Sequence, residues 1–158
     1  MKKIAFVSVA LILAACGSQT IAATPTADIP AELLDVSRWI EVDLAASEIR
    51  LHSANADAIH IAAATGVADD PRYATPLGVF HVQSMDHGPI ESASGVFVRD
   101  LIMIDIASGT GIHSVPMDGE GTLLDDRTGP SITAGCVRAT DSAAVFAFAD
   151  LGMPVWIH

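Results

Sequence analysis

The stretch Arg38–Gly66, RWIEVDLAASEIRLHSANADAIHIAAATG, decides how the chain folds. Two runs alternate apolar and polar residues, Trp39-Ile40-Glu41-Val42-Asp43-Leu44 and Glu48-Ile49-Arg50-Leu51-His52. A third, apolar run covers Ala58 to Ala64. A period of two sends successive side chains to opposite faces, so alternation marks half-buried strands rather than a helix. The Ala-Ala-Ser and Ser-Ala-Asn-Ala-Asp segments between the runs are turn material.

The same reading extends downstream. DDPRYATPLGVFHVQSMD is a loop entering a strand over Gly78 to Met85, and GVFVRDLIMIDIA gives further strand with a turn inside it. Ser114 to Ser131 carries five glycines and prolines among several acids and reads as a long surface loop, a feature usually kept for function. Thr140 or Asp141 can cap a helix through SAAVFAFAD, which Leu151-Gly152 ends; Val155-Trp156-Ile157 closes as a last strand. The expected fold is mainly β, with one helix after the cysteine loop, and no internal repeat is visible.

The chain has 158 residues, 51% of them hydrophobic, enough for one domain with a core that needs no disulfide. Met1-Lys2-Lys3 followed by the apolar run Ile4–Leu13 reads as a signal peptide, too short to span a bilayer permanently. Leu13-Ala14-Ala15-Cys16 resembles the lipobox of bacterial lipoproteins, which makes Cys16 the lipidated first residue of the mature protein. Three hydrocarbon tails there suffice for stable anchoring. Gly17 is not the aspartate that retains lipoproteins in the inner membrane of enteric-type bacteria, so a periplasm-facing outer-membrane location is expected in a two-membrane cell. The expected organisation is a leader over 1–15, a lipidated tether over 16–36, Ala/Thr/Pro-rich up to Ala31, and a domain over 37–158.

Without the leader the chain keeps six arginines, no lysine and 19 acids. That balance argues against nucleic acid and anionic membrane surfaces as partners. The oligomeric state is not encoded in any visible pattern.

If Cys16 carries lipid, Cys136 has no partner within the chain and faces an oxidising compartment. It sits in Thr133-Ala134-Gly135-Cys136-Val137-Arg138. A thiol becomes a nucleophile as thiolate and needs a base or positive charge nearby. Gly135 permits a tight turn whose amide, with that of Cys136, can point at a developing oxyanion. Arg138 can favour the thiolate or hold a substrate carboxylate. Of six histidines, His52, His60 and His81 lie in strand patterns, His87 in a polar turn and His158 at the end of the chain. His113 ends an apolar run and opens the long loop, a place where a base can be presented on a rigid scaffold. No metal-ligand cluster, phosphate loop or nucleotide fingerprint appears, so no cofactor is expected.

The order of these motifs resembles the L,D-transpeptidase (YkuD-type) catalytic domain. WIEVDLAASEIRLH is similar to its opening strand pair, ATGVADDPRYATPLGVFHV to its S-T-G…T-P-x-G-x-F-x-V segment, and GIHSVP to the strand end bearing its histidine. TAGCVRATDSAAVFAFADLGMPVWI is similar to S-H-G-C-I-R followed by a helix and a G-x-P-V-x-I strand. The match covers about residues 38 to 157. It implies a β-sandwich or barrel fold and cysteine-dependent acyl transfer on peptidoglycan stem peptides through a thioester. By position it implies Cys136 as nucleophile, His113 as base, Ser114 orienting the imidazole through its backbone carbonyl, and Gly135 and Cys136 as oxyanion donors. Thr133, Ala134 and Arg138 would contact substrate or hold the site together. Ala134 departs from the family, which usually has a second histidine there, and the gap from His113 to Thr133 is slightly long. Carboxypeptidase or amidase chemistry would use the same residues, and a non-catalytic wall-binding lipoprotein would instead bury Cys136.

Overall fold

The computed structural model describes residues 28–92 and 94–158; the leader and the Cys16 lipid site lie outside the described residues. A single 3-10 turn, Ala31–Leu33, precedes twelve strands and one helix. The strands are β1 (Arg38–Asp43), β2 (Glu48–Ser53), β3 (Ala56–Gly66), β4 (Gly78–His81), β5 (Ser84–Asp86), β6 (Ile90–Glu91) and β7 (Phe97–Val98). They continue with β8 (Leu101–Asp105), β9 (Thr110–His113), β10 (Gly129–Thr133), β11 (Val137–Ala139) and β12 (Pro154–Ile157); helix α1 covers Ser142–Phe148.

The two alternating runs and the apolar third become the antiparallel ladder β1-β2-β3, with Ile40 opposite Leu51 and Val42 opposite Ile49. The main sheet then runs β4-β12-β1-β2-β3-β11-β9-β8-β5, with β10 paired to β3, while β6 and β7 form a separate hairpin. Its two edges, β4 and β5, are consecutive in the chain and separated only by Val82-Gln83. The Val82 N–H donates to Met153 beside β12, and the Gln83 N–H to Met103 of β8. The edges therefore meet, and the sheet curls towards a barrel, which covers polar edges that would otherwise template aggregation. The expected continuous strand from Gly78 to Met85 is thus two strands that change partners at residue 82.

Inside the curl lies one core. Ile40, Ile49, Ile102, Ile112, Val137 and Val155 are each fully buried there, and Val145 of α1 and Ala149 at its C-terminal cap join them. Burying each such side chain stabilises by roughly 1.5–3 kcal/mol. Asp141, rather than Thr140, caps α1: its carboxylate accepts from the Ala144 N–H at 3.0 Å.

Two further expectations change. First, β1 is buried on both faces, not one. On its outer face Leu33, only 2% exposed, packs with Trp39 and Trp156, so the end of the segment expected to be a free tether is docked on the domain. Beside them the two Glu41 oxygens face the Nε2 atoms of His52 (2.6 Å) and His158 (2.9 Å), and Arg50 spans Glu41, Asp43 and Glu48. Second, the stretch 114–131 is not wholly surface loop: Val115 and Met117 are buried, Met117 bridges Phe97, and residues 129–131 already belong to β10.

Candidate active site

Two short strands build the site by alternation. β9 and β11 run parallel, with Ile112 beside Val137 and His113 beside Arg138. Ile112, Val137 and Ala139 point into the core. Their neighbours Cys136, Arg138 and His113 consequently share the opposite face, where all three line one cavity of about 600 Å³. Leu101 and Met103 of β8 lie on the same side as a floor. The β6–β7 hairpin supplies one wall, and Pro116, Leu124 and Asp125 of the long loop supply another.

His113 is held in one tautomer. Its Nδ1 lies 2.7 Å from the Ser114 carbonyl, which can only accept, so Nδ1 carries the proton and Nε2 is left as the basic nitrogen. Ser114 is itself fixed: its N–H donates to the Arg99 carbonyl at 3.0 Å, and its Oγ accepts from the Arg99 N–H at 2.9 Å and donates to the Val115 carbonyl. Burial pushes the imidazole below its ordinary value; the Ser114 contact opposes this and the Arg138 charge adds to it. Burial pushes the Cys136 thiol up, partly offset by a backbone hydrogen bond from Gly111. The Cys136 S–H donates to the Gly109 carbonyl at 3.6 Å. Both shifts favour a neutral resting pair, thiol and imidazole, over thiolate and imidazolium.

The turn before Cys136 requires glycine twice. Gly135 has φ 109°, and a Cβ there would lie 3.2 Å from the Ala74 carbonyl oxygen. Across from it, a Cβ on Gly66 would meet the Tyr73 carbonyl oxygen at 2.1 Å and the Gly135 Cα at 2.9 Å. The Gly66 N–H donates to the buried Thr75 hydroxyl at 2.9 Å, so the segment 65–75 forms a close backing for the Cys136 turn. Thr133 closes that turn, its Oγ1 donating to the Cys136 carbonyl at 2.5 Å and accepting from the Gly135 N–H at 3.3 Å. The Gly135 amide, expected as an oxyanion donor, is therefore weakly engaged inside the turn. Ala134 is exposed and lines the cavity beside Cys136.

Arg138, 9% exposed, is gripped by Asp125 of the long loop, with its Nη1 3.0 Å from the carbonyl oxygen and 3.1 Å from Oδ2. Asp125 also receives Arg127, whose guanidinium first, and Arg138 after it, hold the carboxyl well below the usual carboxylate range. Sequence reasoning missed Asp125, Gly66 and Thr75. The only local signal for Asp125 is the Asp-x-Arg spacing of 125 and 127.

The remaining histidines behave differently. His52 and His158 face Glu41, His60 faces Glu48 and His87 faces Asp100. None of them, nor His81, lines the cavity. Donor atoms of Glu41, Asp43 and His158 lie within 4.8 Å of one another, as metal ligands would, but Arg50 bridges the two carboxylates and makes the group an ion-pair network.

Solved structures share this architecture. The L,D-transpeptidase from Mycobacterium smegmatis superposes with a TM-score of 0.58 at 15% identity over 77% of this chain and 58% of that one. LdtMt1 in complex with imipenem gives 0.57 at 18%, over 77% and 59%. The catalytic domain of the E. faecium L,D-transpeptidase gives 0.57 at 22%, over 77% and 96%. At these identities the likeness is one of fold, and this chain spans less than two thirds of the first two proteins. No curated protein matches the chain in sequence. Residues 37–157, however, match the L,D-transpeptidase catalytic domain known as YkuD, from the opening ladder to the closing strand, and the chain belongs to that family.

Proposed function

We propose that this protein transfers acyl groups from peptidoglycan stem peptides, with Cys136 as nucleophile and His113 as base. The observation that carries this reading is a single cavity lined by Cys136, Arg138 and a His113 whose tautomer leaves Nε2 free to accept a proton. The thiol proton passes to Nε2 as sulfur attacks the carbonyl between the third residue, a diamino acid, and the D-alanine that follows. The C–N bond then breaks, the imidazolium returns the proton to the departing amine, and a thioester remains on Cys136. An acceptor amine resolves it, giving a crosslink, an attached protein or an exchanged D-amino acid; water in that role would make the reaction a carboxypeptidase's. Burial favours the neutral forms of both groups, which fits proton transfer accompanying attack rather than preceding it. Of the turn amides, that of Cys136 is the principal oxyanion donor, since Gly135 must first release Thr133.

The test is acylation by imipenem, the ligand of the LdtMt1 complex. The wild type should gain the mass of the drug on Cys136. Ala134→His should acylate as fast or faster, because a cation beside the nucleophile favours thiolate. If neither protein forms an adduct while both are folded, the acyl-transfer reading fails.

We further propose that Cys16 is lipidated and holds the domain at a membrane facing the periplasm, on the strength of the Leu-Ala-Ala-Cys pattern. Cys16→Ser should move the protein from the membrane to the soluble fraction without altering its activity. A mature N-terminus at Thr24, free of lipid by mass spectrometry, would refute the anchor.

A further inference from the structure

His113 and Cys136 both sit where strand pairing ends. His113 is the last residue of β9, and Cys136 directly precedes β11. The pairing of Ile112 with Val137 and of His113 with Arg138 fixes the two strands, but the His113 ring takes its direction from the Ser114 carbonyl one residue further on. Ser114 in turn is held twice by Arg99, whose carbonyl accepts its N–H and whose N–H donates to its Oγ. The residue after Arg99 is unusual on two counts. Asp100 has φ 54°, in the left-handed region that is costly for a residue with a side chain. Its carboxylate is also buried, at 5% exposure. Oδ2 accepts from the Ser142 hydroxyl at 2.6 Å, while Oδ1 has no hydrogen bond, His87 Nδ1 lying 2.6 Å away but out of line. A buried acid satisfied on one oxygen only is destabilising, so its retention calls for a reason. Its position supplies one. Ser142 opens α1, three residues beyond the end of β11. The Asp100–Ser142 bond therefore joins the corner that carries Arg99 to the stretch of chain that carries Cys136.

We propose that Asp100 is a positioning residue for this site: bonded to Ser142, it fixes the corner at Arg99, and with it the Ser114 carbonyl that keeps the His113 proton on Nδ1. The brace makes the relative placement of His113 and Cys136 doubly determined, once by the pairing of β9 with β11 and once through α1. That His113 acts as a base rests on the acyl-transfer reading; the brace itself does not.

Three substitutions separate the brace from a purely structural role. Asp100→Gly keeps the left-handed backbone and removes the carboxylate. Ser142→Ala removes the hydroxyl and leaves Asp100 in place. Asp100→Asn retains an acceptor for Ser142 on a side chain that adopts the left-handed region readily. The tautomer of His113 is read from imidazole nitrogen shifts by NMR on the full mature chain, with His113→Gln assigning the resonances. The wild type should show the Nδ1–H form alone. In Asp100→Gly and Ser142→Ala the Nε2–H form should reach about a tenth of the population or more, and acylation by imipenem should slow about tenfold or more. Asp100→Asn should keep the Nδ1–H form and acylate within about threefold of the wild type. A purely structural role would lower the unfolding temperature and leave the imidazole of the folded protein unchanged. Folded Asp100→Gly and Ser142→Ala proteins that show the Nδ1–H form alone therefore overturn the brace, whatever their rates. The tautomer change in a protein whose wild type imipenem never acylates would leave the brace standing and remove the acyl-transfer reading. The same change with undiminished acylation would leave the brace standing and remove His113 as the base.

Discussion

Cys136→Ala should reduce acyl transfer on isolated stem peptides to background while leaving the domain folded. The side chain faces the cavity, and the neighbouring core contact belongs to Val137, which is fully buried. Losing one partly buried sulfur should cost no more than about 1 kcal/mol. Thermal unfolding and transfer rate, measured on the same preparation, separate the two effects. Wild-type turnover by the alanine variant would end the cysteine mechanism.

The second large effect is expected at His113. Its replacement by alanine should lower the rate by about 10²–10⁴, the usual contribution of a positioned base. Substitution of His52, His60, His81 or His87 should not, since each lies outside the cavity. The pH dependence follows from the direction of the shift. An imidazole held below its ordinary value stays unprotonated to lower pH, so the acidic limb of the wild-type rate profile should fall below the ordinary histidine value. A limb at or above that value, or an essential histidine among the other four, would mean the base is misassigned.

Much of this was legible from residue order because the physics involved is local. Alternation over Trp39–His52 and the apolar run Ala58–Ala64 are properties of neighbouring residues, and they marked out β1, β2 and β3. His113 and Cys136 could likewise be picked out by their settings, one at the end of an apolar run and the other in a glycine turn. What escaped depends on residues far apart in the chain. The break at Val82 exists because Met153, beside β12, and Met103, on β8, offer carbonyls in different places. The docking of Leu33 needs Trp39 and Trp156 together, and the hold on Arg138 needs an acid thirteen residues earlier. No local pattern encodes such partners, and the alternation of β1 could not reveal that its outer face is also covered.

The loop between His113 and Cys136 has a different kind of consequence. Its near end is sewn down by Ser114 on Arg99, and its far end by Asp125 on Arg138. Between these anchors the chain turns at Asp118, whose carboxylate accepts the Glu120 and Thr122 amides, and residues 119–122 form an exposed tip. Lengthening such a tip costs little, each doubling of a flexible loop adding only about 0.6 kcal/mol. The separation of His113 from Cys136 in sequence is a measure of that tip, while their separation in space is set by the pairing of β9 with β11.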